Sequence, residues 1–171
     1  MKCLQRKQAL YHRNQLTQTE VHYKSALICK HLKPYLHGNV GVYQSYGKEV
    51  DLTSLSLTSF YLPKVKEEYG MDFVKCDKNT TYHKDRYGIL EPDDHQVINP
   101  LALDVIVVPL VAFDENRHRI GHGCGYYDRY LMHTKALKIG VAYECQKVDF
   151  IQSDVFDVCL DMIITEDHIY K

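Results

Sequence analysis

Residues 119–131 read RIGHGCGYYDRYL, with glycine at 121, 123 and 125. Each glycine costs backbone entropy in a helix or strand, so the alternation serves a turn or a ligand. Glycines let the backbone bend and let a ligand approach where a Cβ would stand. Successive N–H groups can then converge on an anion, and a helix starting just after adds its dipole. Arg119 opens the loop with a guanidinium fork suited to phosphate oxygens. Asp128 follows it, where a carboxylate could hold Mg²⁺ against those oxygens, since magnesium takes oxygen ligands. Two plainer readings stand beside these: a tight glycine turn leading into a helix, and a first-turn aspartate favoured by the helix dipole.

Other chemistries fit less well. No GK[ST] follows the loop, and GHGCG lacks the GxGxxG spacing, so neither common nucleotide fingerprint is present. His118 and His122 could chelate zinc on a helix, but Gly121 and Gly123 argue against a helix there. No base can be placed beside Cys124, so it reads as a thiol lining the pocket more than as a nucleophile. No Ser-His-Asp or paired-carboxylate hydrolase pattern stands out.

The elements around the loop read as alternating helices and strands. Residues 2–16 predict a basic helix (Lys2, Arg6, Lys7, Arg13) with Leu4, Gln8 and Tyr11 on one face. A run of charge is by default a solvated face. Thr17 to Glu20 forms a capping box. Val21, Ser25, Ile28 and Leu32 follow at helical spacing, and Pro34 with Gly38 ends the run. Residues 39–43 predict a strand, and Asp51 a cap for a short helix over Leu52, Leu55 and Phe60. Short strands are expected at 61–65 and 71–74. Residues 75–100, with GILEP and DDHQVINP, are turn-rich and predict ordered loop. Residues 103–108 form the strongest strand, apolar throughout as a strand covered on both faces would be. A helix is expected at 127–133, and strands at 138–143 and 160–164. Strands separated by helices predict a single α/β domain over residues 1–171, in three α/β/α layers around a mainly parallel sheet.

Composition narrows the function classes. The chain has 171 residues, enough for one sizeable core and too few for two ordinary ones. Net charge is −1, which gives no basic excess for a nucleic-acid partner, so any phosphate site must be local. No apolar run reaches membrane-spanning length. The polar opening, KCLQRKQ, and six scattered cysteines predict reduced thiols and a cytoplasmic protein.

RIGHGCGYYDRYL closely resembles the signature of 5-formyltetrahydrofolate cyclo-ligases (methenyltetrahydrofolate synthetases), R-[LI]-G-x-G-x-G-Y-Y-D. VVPLVAFDENRHR resembles the strand and turn before that signature. KCLQRKQALYHR is similar to the family's N-terminal helix, and VYQSYGKEV to the loop carrying a substrate glutamate. YLPKV, ILEP, IGVAYECQ and LDMIITE match further landmarks, so the resemblance spans nearly the whole chain.

The resemblance implies ATP- and Mg²⁺-dependent conversion of 5-formyltetrahydrofolate to 5,10-methenyltetrahydrofolate, with ADP and phosphate released. It implies the single three-layer α/β fold and small-molecule substrates, ATP and 5-formyltetrahydrofolate with or without a polyglutamate tail; a monomer or weak homodimer is expected. Carried over by position, Arg119, Ile120, Gly121, His122, Gly123, Cys124, Gly125, Tyr126 and Tyr127 would form the ATP loop. Its part from His122 to Tyr126 would also face the folate, with Arg119 and Tyr126 catalytic. Lys2 and Arg6 would reach the nucleotide phosphates, Glu49 and Tyr43 would bind folate, and Asp128 and Asp161 would hold magnesium. Cys124 stands where many relatives carry lysine or glycine, so a loop lysine's charge is absent. Gln5, Leu52 and Val155 are lesser departures. The alternative is a folate- or nucleotide-binding protein on this scaffold without turnover; another small phosphoryl-transfer enzyme is a third reading.

Overall fold

The structure, a computed structural model, describes residues 1–66, 70–84, 90–93 and 96–171. Gly88 and Ile89 of GILEP, and Asp94 and His95 of DDHQVINP, lie outside the described residues. Helix α1 spans Lys2–Gln15 and α2 spans Gln18–Leu32. The predicted capping box is present: Thr17 Oγ1 accepts the Glu20 N–H, and Glu20 Oε2 accepts the Thr17 N–H at 2.7 Å. Both bonds satisfy donors that a helix start leaves orphaned.

Seven strands form one sheet in the order β11-β10-β9-β6-β1-β2-β3. They are β1 (Val40–Gly41), β2 (Ser59–Val65), β3 (Met71–Asp77), β6 (Val105–Pro109), β9 (Leu137–Val141), β10 (Met162–Ile164) and β11 (Ile169–Tyr170). The four inner pairings are parallel; β3 and β11 join antiparallel at the edges. Strand β6 is buried on both faces, as its unbroken apolar run predicts. Val105 and Val107 pack with α2 residues Ile28 and Leu32, while Ile106 and Val108 pack with Phe73, Tyr130 and Leu131. Tyr130 and Leu131 belong to α3 (Tyr126–Leu131), so helices cover both faces and the expected α/β class holds. The region read as loop contains a small hairpin, β4 (Tyr82–Lys84) with β5 (Leu90–Pro92).

Beyond the end of β6, strands β7 (Ala112–Phe113) and β8 (Arg119–Ile120) form a second hairpin, which carries the glycine loop. Its turn is held by buried Asp114, whose carboxylate accepts the His118 and Ile151 N–H groups and meets His118 Nδ1 at 3.0 Å. Helix α1 packs on this hairpin through Ala9, against Val111, Ala112, Ile120 and Ile151. That corrects the expected face: Leu4 and Tyr11 are exposed, whereas Ala9 and Arg13 are buried.

Arg117 closes the hairpin turn with φ +66°. A left-handed L-residue costs about 1–2 kcal/mol, against about 0.5–1 kcal/mol for glycine's greater unfolded freedom. Arg117→Gly is therefore expected to leave stability unchanged or raise it by up to about 1 kcal/mol. Thermal unfolding checks this; a lowered midpoint would mean that the arginine side chain outweighs its backbone strain.

Candidate active site

The glycine loop is held by its carbonyls. Arg6 Nε of α1 donates to Gly121 O at 2.8 Å, and Arg129 Nη2 of α3 donates to Cys124 O at 2.6 Å. None of the N–H groups of residues 121–125 donates to another described residue. The loop is thus tied down by acceptors while its donors stay open, the arrangement an anion cradle requires. Gly123 and Gly125 have φ +110° and +67°, which a side chain would strain. Gly121 faces open space, so no described neighbour requires a glycine there.

Glu49 closes the other side. Its Oε2 accepts the Tyr46 N–H at 3.0 Å, and Oε1 lies 3.2 Å from His122 Nε2 of the glycine loop. Tyr143 Oη donates to Glu49 O, and Lys48 Nζ donates to Asn14 O and Leu16 O, fastening this loop to the end of α1. Burial first, then the Glu49 charge, raises the Tyr127 pKa, so its hydroxyl stays protonated. That hydroxyl is shut off from solvent and has no partner among the described residues. An orphaned donor beside a carboxylate is costly unless a ligand supplies the acceptor.

Acidic groups gather behind the loop. Asp128 Oδ1 accepts Arg119 Nη2 at 2.7 Å and the Val158 N–H at 3.2 Å, leaving Oδ2 unpaired among the described residues. Next to Val158, Asp157 takes Lys2 Nζ at 2.5 Å and the Asp154 N–H at 2.7 Å; Lys2 also meets Asp154 at 2.6 Å. Burial works against ionising Asp157, but the Asp154 N–H and Lys2 outweigh it and hold the carboxyl below its usual range. A depressed folded pKa contributes stability above the unfolded value, near 3.9, and loses it as pH falls through the folded one. Glu144, held down by Tyr170 and Thr165 against burial, acts in the same direction. The urea midpoint is expected to fall as pH drops below about 4, and less steeply in Asp157→Asn. Parallel curves for the two proteins would remove Asp157 from that account.

The sequence model of the 5-formyltetrahydrofolate cyclo-ligase family matches residues 1–166. The chain belongs to this family. It is 40% identical over 117 residues to the 5-formyltetrahydrofolate cyclo-ligase of Mycoplasma genitalium, covering 62% of this chain and 70% of that one. It is 31% identical over 135 residues to the Haemophilus influenzae cyclo-ligase, covering 71% and 72%. The solved Aquifex aeolicus 5,10-methenyltetrahydrofolate synthetase superposes with TM-score 0.88 at 33% identity, over 99% of this chain and 92% of that one. The Mycoplasma pneumoniae synthetase does so with TM-score 0.76 at 30% identity, over 96% and 98%. This cyclo-ligase relative is an enzyme of the ligase type.

Within the cyclo-ligase frame, Arg6 meets Gly121, Glu49 meets His122 with Tyr127 close by, and Arg119 joins Asp128 behind the loop. Tyr126 starts α3 with its ring 5.6 Å from the Arg129 guanidinium. Other expected residues stand differently. Arg119 is not an open fork: its side chain is 4% exposed, and both Nη atoms are committed, to Asp128 and to Val158 O. It positions Asp128. Lys2 is committed to Asp154 and Asp157. Ile120 buries its side chain under α1. Tyr43 is buried, with its hydroxyl donated to Val50 O, so it braces the Glu49 loop from behind. Asp161 sits at the opposite end of the strands, just before β10, accepting the Lys138 N–H at the start of β9. The carboxylate beside the Asp128 partner Val158 is Asp157, four residues earlier. Sequence reading missed Asp157 and the loop anchor Arg129; the acidic spacing in SDVFD was the available signal. Asp128, through Oδ2, and Asp157 are the carboxylates that could hold a magnesium ion, which is commonly bound by one or two carboxylates plus substrate phosphates.

Proposed function

We propose that the protein converts 5-formyltetrahydrofolate to 5,10-methenyltetrahydrofolate, consuming ATP with Mg²⁺ and releasing ADP and phosphate. The observation that carries this reading is the glycine loop, pinned by two arginines through its carbonyls, with unpaired donors facing a site closed by Glu49. A formamide is a poor electrophile, and its oxygen a poor leaving group. Transfer of the terminal phosphoryl group to the formyl oxygen makes that oxygen a good leaving group. The neighbouring folate amine then attacks the same carbon, and phosphate departs. Such intramolecular attack is worth up to about 7–11 kcal/mol when the geometry is near attack.

Phosphoryl transfer asks a protein for position and charge more than for a nucleophile. The open N–H groups of residues 121–125 hold phosphate oxygens, and the Arg6 Nη atoms add positive charge beside Gly123. Asp128 and Asp157 are the residues that would hold magnesium, which supplies charge neutralisation on those oxygens when bound. Arg119 keeps Asp128 in place, and Lys2 offsets the charge of Asp154 and Asp157. Glu49 accepts paired N–H groups of the pterin, and Tyr126 and Tyr127 border the folate. A cytoplasmic setting accords with the six free cysteines.

A binder without turnover is the second reading, favoured by exposed Cys124, which adds no positive charge to the loop. Near-ultraviolet absorbance of the methenyl product separates the two. Growth that requires ATP and Mg²⁺ supports the ligase; a flat trace from folded protein that binds both ligands supports the binder.

A further inference from the structure

Arg13 lies seven residues after Arg6 on α1, about two turns away on the same face. It is 6% exposed. Its Nε is closed to solvent and unpartnered, and its guanidinium makes no hydrogen bond or ion pair with any described residue. With Nε closed off, the Nη atoms are the part of the guanidinium left to meet solvent or a ligand, and a largely buried charge gains from an anionic partner.

Arg13 lies near Tyr143 and Cys145, where α1 packs on residues 144–146. Burial pushes the Tyr143 hydroxyl up to about 12, while its bond to Ser25 and then the Arg13 charge work the other way. Tyr143 Oη donates to Glu49 O. The adjacent α1 residue Asn14 gives its carbonyl to Lys48, next to Glu49. The orphaned Tyr127 hydroxyl borders the same loop from α3. Among the described residues, Arg13 Nε and the Tyr127 hydroxyl are both buried without a partner, on α1 and α3, one near Tyr143 and the other near Glu49.

We propose that Arg13 is an oxyanion-binding residue of the cleft between α1, the glycine loop and the Glu49 loop, its counter-charge supplied by bound ligand. Resting on the proposed function, the oxyanion comes from a phosphate of the nucleotide or a carboxylate of the folate tail. The guanidinium presents a planar fork to two oxygens, which a lysine would not reproduce.

The test compares wild type, Arg13→Met and Arg13→Lys by thermal unfolding without ligand, and by titration with Mg–ATP, 5-formyltetrahydrofolate and pyrophosphate separately. Arg13→Met is expected to raise the unliganded melting midpoint, because an uncompensated charge is gone. It is expected to weaken one of the two substrates at least about ten-fold, with Arg13→Lys intermediate. A loss on Mg–ATP and pyrophosphate identifies a phosphate; a loss on the folate alone identifies a carboxylate. An Arg13→Met variant that binds all three within about two-fold of wild type overturns the proposal. If that variant does not fold, unchanged affinities in Arg13→Lys overturn it instead. Wild type that binds pyrophosphate but neither substrate refutes the proposed function; a loss of pyrophosphate affinity of about ten-fold in Arg13→Met then still supports an oxyanion role for Arg13, and an unchanged affinity overturns it.

Discussion

Replacing Glu49 with glutamine is expected to lower kcat/KM for 5-formyltetrahydrofolate about a thousandfold while the fold survives. The reason is the asymmetry between an ionised acceptor and an amide. Under the proposed function the Glu49 carboxylate accepts two N–H groups of the pterin, and each bond to a charged group is worth about 1.5–3 kcal/mol. Glutamine keeps one acceptor and presents two donors against the ligand's own. Its carbonyl can still take the Tyr46 N–H, and the Tyr143 and Lys48 contacts use the backbone, so the loop keeps its ties. Steady-state kinetics with a parallel melting curve decide the matter. Near-normal kcat/KM would remove Glu49 from the folate site; an equal loss against ATP alone would place it on the nucleotide.

The largest stability effect is expected from Arg119→Met. The guanidinium is 4% exposed on the side chain and reaches Asp128 at 2.7 Å and Val158 O at 2.6 Å. Breaking a buried pair by removing one partner costs about 3–5 kcal/mol, because the other charge loses its compensation. Asp128 is 28% exposed, which lets water offset part of this, so about 3 kcal/mol is expected. Adding Asp128→Asn should recover part of it, giving a coupling energy that a double-mutant cycle measures. Activity should fall in the single variant even where it is folded, since Asp128 is no longer held, and extra magnesium should restore some of it. A loss below about 1 kcal/mol would make the pair a surface contact. By this geometry Arg119 holds Asp128, and its removal is expected to disturb the fold as well as the site.

Legibility in the sequence followed how local the physics was. Helix α2 was readable because its capping box and apolar spacing lie within one short window. Strand β6 was readable because both of its faces are buried, so no alternation was needed. The face of α1 was not, since its buried positions are a small residue, Ala9, and a charged one, Arg13. Apolar periodicity points away from such a face, toward Leu4 and Tyr11. Strands β7, β8 and β11 have two residues each, too few for any period to register. The β7–β8 pair nevertheless decides where the glycine loop stands.

By itself, the sequence determined the α/β class, the family and the loop: the backbone freedom demanded at Gly123 and Gly125 is written in the residues that bear it. It also marked Glu49 and Asp128, each close in sequence to a recognisable element. Only the tertiary structure decided which charges face a ligand and which face each other. Asp157 and Asp161 lie in one stretch and look interchangeable in sequence. The path of the chain past Arg119 delivers Asp157 to Lys2 and Asp161 to Lys138. Likewise Arg6, Arg13 and Arg119 are alike as residues, yet one holds the loop, one is buried with its Nε unpartnered among the described residues, and one clamps an aspartate. Charge pairing acts through space between segments distant in the chain, so no local pattern carries it.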